Sequence, residues 1–235
     1  MKTQAFLFAA LCSGTLLLSS CDTKTTTETT ATTETGAAGD MATMDHSTMG
    51  SGAATAGDSP LKASMDEMMG KMDAMKMKGN TDHDFAHMML EHHKGAVVMA
   101  DIQLRDGKDA TMRQMAEKIK ADQQKEIGEL EAAATRLDNA PTNYQPQDQN
   151  DPFTAQMKTS MTTMMTDMPK TVANPDMNFN MMMTVHHQSA MDMAKAEVAH
   201  GKDTKLKGMA QKMIDTQQKE IDAFKTWHAN NADKM

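Results

Sequence analysis

A long internal repeat constrains this chain more than any other feature. Phe85, Met88, Met89, His92, His93, Ala96, Met99 and Ala100 recur 94 residues later as Phe179, Met182, Met183, His186, His187, Ala190, Met193 and Ala194. The same offset carries Met115-Ala116-x-Lys118 onto Met209-Ala210-x-Lys212, and Gln123-Gln124-Lys125-Glu126-Ile127 onto Gln217-Gln218-Lys219-Glu220-Ile221. A repeat of this length is an internal duplication, so one supersecondary unit is expected twice.

The spacing within each copy predicts helices. Pro60 follows Asp58-Ser59, a cap and a first-turn proline. Met65, Met68, Met69 and Met72 then fall on one helical face, and Gly79-Asn80 is expected to end that helix. Thr81 or Asp82 caps a second helix running to about Arg105, and a third spans Asp109 to Leu137. Residues 138–151 read as a polar linker. The plan then repeats. Asp151-Pro152 opens a fourth helix on which Met161, Met164, Met165 and Met168 repeat the methionine spacing at an offset of 96. Asn174-Pro175 opens a fifth that Gly201 ends, and a sixth runs from about Asp203 to Trp227. Strand signals are nearly absent. The expected architecture is all-α: a four-helix bundle from a tandem-duplicated unit (60–137 and 152–229), with two extra short Met-rich helices alongside.

The region before the repeat reads differently. Lys2 and the apolar run Phe6 to Leu18 have the form of a secretion signal, with too few apolar residues to span a bilayer. Leu18-Ser19-Ser20-Cys21 resembles a bacterial lipobox, which implies removal of residues 1–20 and acylation of Cys21. Residues 21–59, rich in Thr, Ala and Gly, are expected to be a disordered tether. Within it Met41, Met44, His46 and Met49 form a small Met/His cluster of their own. The expected location is the periplasmic side of a bacterial membrane or the cell surface, lipid-anchored. A formal net charge of -8 argues against a nucleic-acid partner and favours cations.

Composition narrows the chemistry. The chain has 29 Met against 6 Phe, 1 Trp and 1 Tyr. Methionine packs cores, but it also carries a polarizable thioether. Both cysteines, Cys12 and Cys21, are used up by the signal and the anchor, so a soft-metal site must be built from Met and His. On the second helix Met88, His92 and Met99 share one stripe, and Met89, His93 and Ala96 the next. Met182, His186, Met193, Met183 and His187 are placed likewise on the fifth. At least one histidine of each pair must face the interior. Thioether plus imidazole suits copper(I) and silver(I). Gln123 or Glu126 can fix the tautomer of His92 or His93, and Gln217 or Glu220 that of His186 or His187. His83 and His87 lie on one face, with Met177 and Met181 as their equivalents, and join the candidate ligands.

The pattern Phe-x-x-Met-x-x-x-His-His-x-x-Ala, followed by Ala-x-x-Ile/Met-x-x-x-Gln-Gln-x-Glu-Ile and a closing Trp227, resembles the domain of unknown function 305 family over residues 80 to 229. The resemblance implies a ferritin-like helical bundle. Its Met-rich exported members look like CopM-type copper-binding proteins, which implies periplasmic or surface binding of copper(I) and silver(I) with a role in copper tolerance; whether copper is stored or passed to a copper-transfer protein stays open. The first copy departs by carrying Leu90-Glu91 before its histidine pair and lacking a tryptophan near Leu130.

Two other functions compete. A di-iron oxidase needs two Glu-x-x-His helices, and only Glu197-x-x-His200 fits, its counterpart being Gln103-x-x-Asp106. No partnered nucleophile is visible, so an enzyme is not expected. The alternative is a structural or partner-binding bundle, or a methionine oxidant sink, with the His-Gln pairs as a polar core network.

Overall fold

A computed structural model describes residues 59–234. The signal, the tether and the Met41–Met49 cluster lie outside the described residues. Six α-helices form: α1 Pro60–Asp73, α2 Thr81–Asp106, α3 Ala110–Leu137, α4 Pro152–Thr166, α5 Pro175–His200 and α6 Thr204–Asn231. A short 3-10 turn, Ala232–Lys234, follows. No strand occurs among the described residues. No helix among them is long and apolar enough to cross a membrane.

The helix starts follow local chemistry. Asp109, Asp151, Asn174 and Asp203 each accept backbone N–H groups of the turn that follows, satisfying donors that a helix leaves unpaired. The cap of α2 is Asn80, whose side chain accepts from His83 N, and not Thr81 or Asp82 as the sequence suggests. α1 ends at Asp73, six residues before Gly79. The Asp84 carboxylate takes the amides of Lys78 and Gly79 at 2.9 and 2.8 Å, which draws this segment out of the helix. Gly79 turns the chain at φ +88°, a conformation side chains resist.

α2 and α3 form one antiparallel hairpin, α5 and α6 the other, and α2 packs on α5 at the centre. α1 lies on α2, and α4 on α5. Gly95 lets α1 approach closely: a Cβ there would overlap Met68 Sδ. Phe179 and Phe224 meet edge to face between α5 and α6. This is the expected ferritin-like bundle of two similar halves.

A reciprocal clasp ties the halves together. Asp82, at the start of α2, accepts the Lys202 and Asp203 amides of the α5–α6 loop. Its counterpart Asp176, at the start of α5, accepts the Lys108 and Asp109 amides of the α2–α3 loop. Each clasp has one more buried member. Gln103 donates its amide to Asp176 at 2.5 Å. In the other half Glu197 occupies the same place and faces Asp82. Gly107 and Gly201 leave room for these two side chains, since a Cβ at either would overlap Gln103 or Glu197. Glu197 finds no N–H or O–H donor for its oxygens. Two carboxyl groups hydrogen-bond only if one keeps its proton. Burial, then the charge of Asp82 and the hydrogen bond to it, push the Glu197 carboxyl up to about 9. Glu197 therefore serves as a neutral acid where Gln103 serves as an amide.

Candidate metal centre

The two histidine pairs lie midway along α2 and α5, where the central helices meet. All four rings are fully buried: His92, His93, His186 and His187 each have 0% exposure. The sequence required only one of each pair to point inward. Both do, because His92 and His186 meet each other where α2 packs on α5, while His93 and His187 turn toward Glu126 of α3 and Glu220 of α6.

The rings are held in a definite way. His92 and His186 stack across the helix interface with centroids 3.7 Å apart and planes tilted by 39°. His186 Nε2 lies 3.0 Å from the His92 carbonyl oxygen. A carbonyl can only accept, so Nε2 carries the proton and Nδ1 keeps its lone pair. His93 Nε2 meets Glu126 Oε2 at 2.8 Å, and His187 Nε2 meets Glu220 Oε2 at 2.9 Å. Of the residues able to orient the rings, the glutamates of α3 and α6 are in contact, each with the second histidine of its pair. Gln123 and Gln217 are buried beside them, and their Oε1 atoms have no donor. Burial would raise Glu220, but its hydrogen bond to His187, that ring's charge and Lys118 outweigh it and hold the carboxyl below its ordinary value. Lys118 bridges to Glu220 at 2.8 Å.

Five ring nitrogens have no protein partner: both of His92, and Nδ1 of His93, His186 and His187. Burial first, and the neighbouring histidines second, hold His92 and His186 well below the usual imidazole range. Both rings are thus neutral at pH 7, the form in which an imidazole binds a metal. Met89, Met99, Met182, Met183 and Met193 are also fully buried, and Met88 is 6% exposed.

The other sequence candidates divide by position. Met65, Met68 and Met72 are buried on α1, as is Met164 on α4, while Met69 and Met161 are partly buried. The stripe on α4 follows that on α1 at the offset of 96, with Met157, Ser160 and Met164 buried as Leu61, Ser64 and Met68 are, but it is less deeply covered. α4 buries Phe153, Met157, Ser160 and Met164. Met165 points outward at 61% exposure, and Met168 falls beyond the helix end. Between α1 and α4 lies a cavity of about 580 Å³ lined by Met69, Met72, Met75, Met77, Met88, Met157, Met161 and Met165. Met75 and Met77 lie past the end of α1, and Met157 extends the α4 spacing one turn before Met161; none of the three was among the expected residues. Met88 belongs both to this groove and to the helical turn before His92.

His83 and His87 sit apart from this interior, at the start of α2, with ring centroids 4.3 Å apart. Met177 is fully buried, and Met181 is partly so.

Family models decide the kinship. The DUF305 model, a domain of unknown function, matches residues 15–134 and 82–228. The chain belongs to the DUF305 family. Solved structures similar to it include CopM in the apo form, at 25% identity and a TM-score of 0.49, covering 63% of this chain and 96% of that one. CopM in the Cu(I)-bound form matches at 25% identity and a TM-score of 0.48, over 63% and 96% of the two chains. A DUF305 fragment from Deinococcus radiodurans matches at 22% identity and a TM-score of 0.47, over 64% and 96%. No curated protein matches the chain in sequence.

Proposed function

We propose that this chain is an exported, lipid-anchored protein that binds copper(I), and silver(I) by the same chemistry, through the paired histidines and the methionines around them. The observation that carries the reading is the set of five buried imidazole nitrogens without a protein partner. A polar network kept only for architecture is expected to be satisfied, since each buried unpaired group costs about 1–3 kcal/mol. Here Glu126, Glu220 and the His92 carbonyl hold one nitrogen of three rings and leave the other available. That is how outer partners orient a ligating histidine. Buried thioethers supply the soft donors that favour a monovalent d10 ion over zinc(II).

The methionine groove between α1 and α4 is the route inward in this reading, with Met88 passing the ion from groove to histidines. Binding, and not catalysis, is the proposed activity. The basic, apolar, Cys21-terminated leader supports delivery to the periplasmic side of a membrane or to the cell surface. There the protein buffers copper or hands it to a transfer partner.

The test is an anaerobic copper(I) competition titration of the full chain against a chromophoric chelator. The variant carries His92→Gln, His93→Gln, His186→Gln and His187→Gln. The expected result is loss of the tightest binding while helical content is retained. Unchanged tight binding in the variant, with lowered stability, would make the histidines a structural network instead.

A further inference from the structure

The start of α2 carries a second constellation with different chemistry. Among the described residues, His83, His87 and Asp138 bring one ligand atom each to within 4.8 Å of one another. His83 Nε2 lies 3.5 Å from Asp138 Oδ1, and His87 Nε2 lies 3.9 Å from it. His83 and His87 are one turn apart on α2, so their rings lean the same way. Asp138 is the residue on which α3 ends.

The surroundings are built to hold this arrangement. His83 Nδ1 is 2.7 Å from Asp84 Oδ1. Asp84 is buried and also receives the Lys78 and Gly79 amides and the Tyr144 hydroxyl, the last at 2.6 Å. A carboxylate so anchored fixes the His83 ring with its proton on Nδ1 and turns Nε2 outward as an acceptor, the orientation found behind metal-bound histidines. His87 Nε2 is buried and has no hydrogen-bond partner. The linker is pinned over this corner: Asn143 and Tyr144 donate their amides to the Gly79 carbonyl, and Asn80 donates to the Pro141 carbonyl. The site opens to solvent on one side, with the side chains of His83, His87 and Asp138 exposed by 12%, 35% and 59%.

We propose that His83, His87 and Asp138 form a separate binding site for one borderline divalent cation of the zinc(II) and copper(II) class, distinct from the buried histidine–methionine centre. Two imidazoles and a carboxylate are the donor set of such ions, and no thioether has been placed among the three donors. Ligand atoms around a tetrahedral ion with bonds of about 2.0–2.1 Å stand roughly 3.3 Å apart, so the 3.5 and 3.9 Å gaps close with small side-chain rotations. The fourth position faces solvent. The site belongs to the first half alone, because the equivalents of its three residues are Met177, Met181 and Ala232. The duplicated halves have thus diverged, one toward a divalent site at its rim. This proposal stands without the copper(I) reading.

Zinc(II) is the probe of choice because it has no redox chemistry. The full chain is titrated with zinc(II) in competition with a chromophoric chelator at pH 7.5, beside Asp138→Asn and the double variant His83→Met, His87→Met, which copies the second half. Asp138 is exposed, and its substitution leaves the bundle intact, checked by circular dichroism. The expected result is one zinc(II) per chain, weakened about tenfold or more in Asp138→Asn and lost in the double variant. Asp138→Asn is expected to leave copper(I) affinity unchanged. Zinc binding equal to the wild type in both variants, or no zinc binding by the wild type, overturns the proposal. Failure of copper(I) binding with zinc binding intact would overturn only the interior centre.

Discussion

Replacing Glu197 by Gln should stabilise this protein, and by more as the pH rises. Glu197 is fully buried against Asp82, and its carboxyl is pushed up to about 9 from an ordinary 4.5. Between those values the folded state holds a proton that the unfolded state has released. Unfolding then releases a proton, so stability falls as pH rises through this window. The rate of fall is about 1.4 kcal/mol per pH unit for one proton. That slope depends only on the sign of the shift, whereas the pH at which it ends depends on its size. A glutamine in this place does not titrate, and it can donate to Asp82 as Gln103 donates to Asp176 at 2.5 Å. The stability difference between Glu197→Gln and wild type should therefore widen by roughly 3 kcal/mol from pH 5.5 to 7.5. All other titrations are common to both chains and cancel. Urea unfolding at several pH values reads the difference directly. The reverse change, Gln103→Glu, should install the same slope in the first half. Parallel stability profiles for wild type and Glu197→Gln would refute the reasoning and show that Glu197 is ionised in the folded protein.

Three further outcomes are expected. Gly95→Ala should lower stability by about 1–3 kcal/mol through the overlap of its new Cβ with Met68 Sδ, and Met68→Ala in the same chain should remove most of that coupling in thermal unfolding. Acid should weaken the fold from about pH 6.5 downward. His92 and His186 stay neutral in the folded state while the unfolded chain takes up protons, so stability is full above that pH and is lost below it at about 1.4 kcal/mol per unit for each ring; a profile equally steep in His92→Gln, His186→Gln would contradict this. Glu126→Gln and Glu220→Gln should each weaken copper(I) about tenfold in the competition titration by loosening His93 or His187, and an unchanged affinity would show that these rings are oriented some other way.

Much of this architecture was legible in the sequence because the repeat and the punctuation agree. Pro60, Asp109, Asp151-Pro152, Asn174-Pro175 and Gly201 sit at helix ends for reasons that act within one turn of chain. What escaped was set by partners distant in sequence. The end of α1 depends on Asp84 capturing two amides, which no periodicity reveals. Asp82 reads as a cap for its own helix, yet it serves the start of α6, 121 residues away. That both histidines of each pair are buried follows from two neighbours at once, the facing central helix for His92 and His186 and the hairpin partner for His93 and His187. Glu126 and Gln123 lie one turn apart on α3, and only the positions of the rings decide between them. Asp138 could not be joined to His83 and His87 from spacing, since the hairpin of α2 and α3 brings them together.

X-ray absorption on the full chain loaded with one equivalent of copper(I) addresses the central claim most directly. The account predicts a first shell of mixed imidazole nitrogen and thioether sulfur, with the nitrogen contribution lost in the four-histidine variant. A shell of sulfur alone in the wild type would place the ion in the methionine groove and contradict the histidine centre.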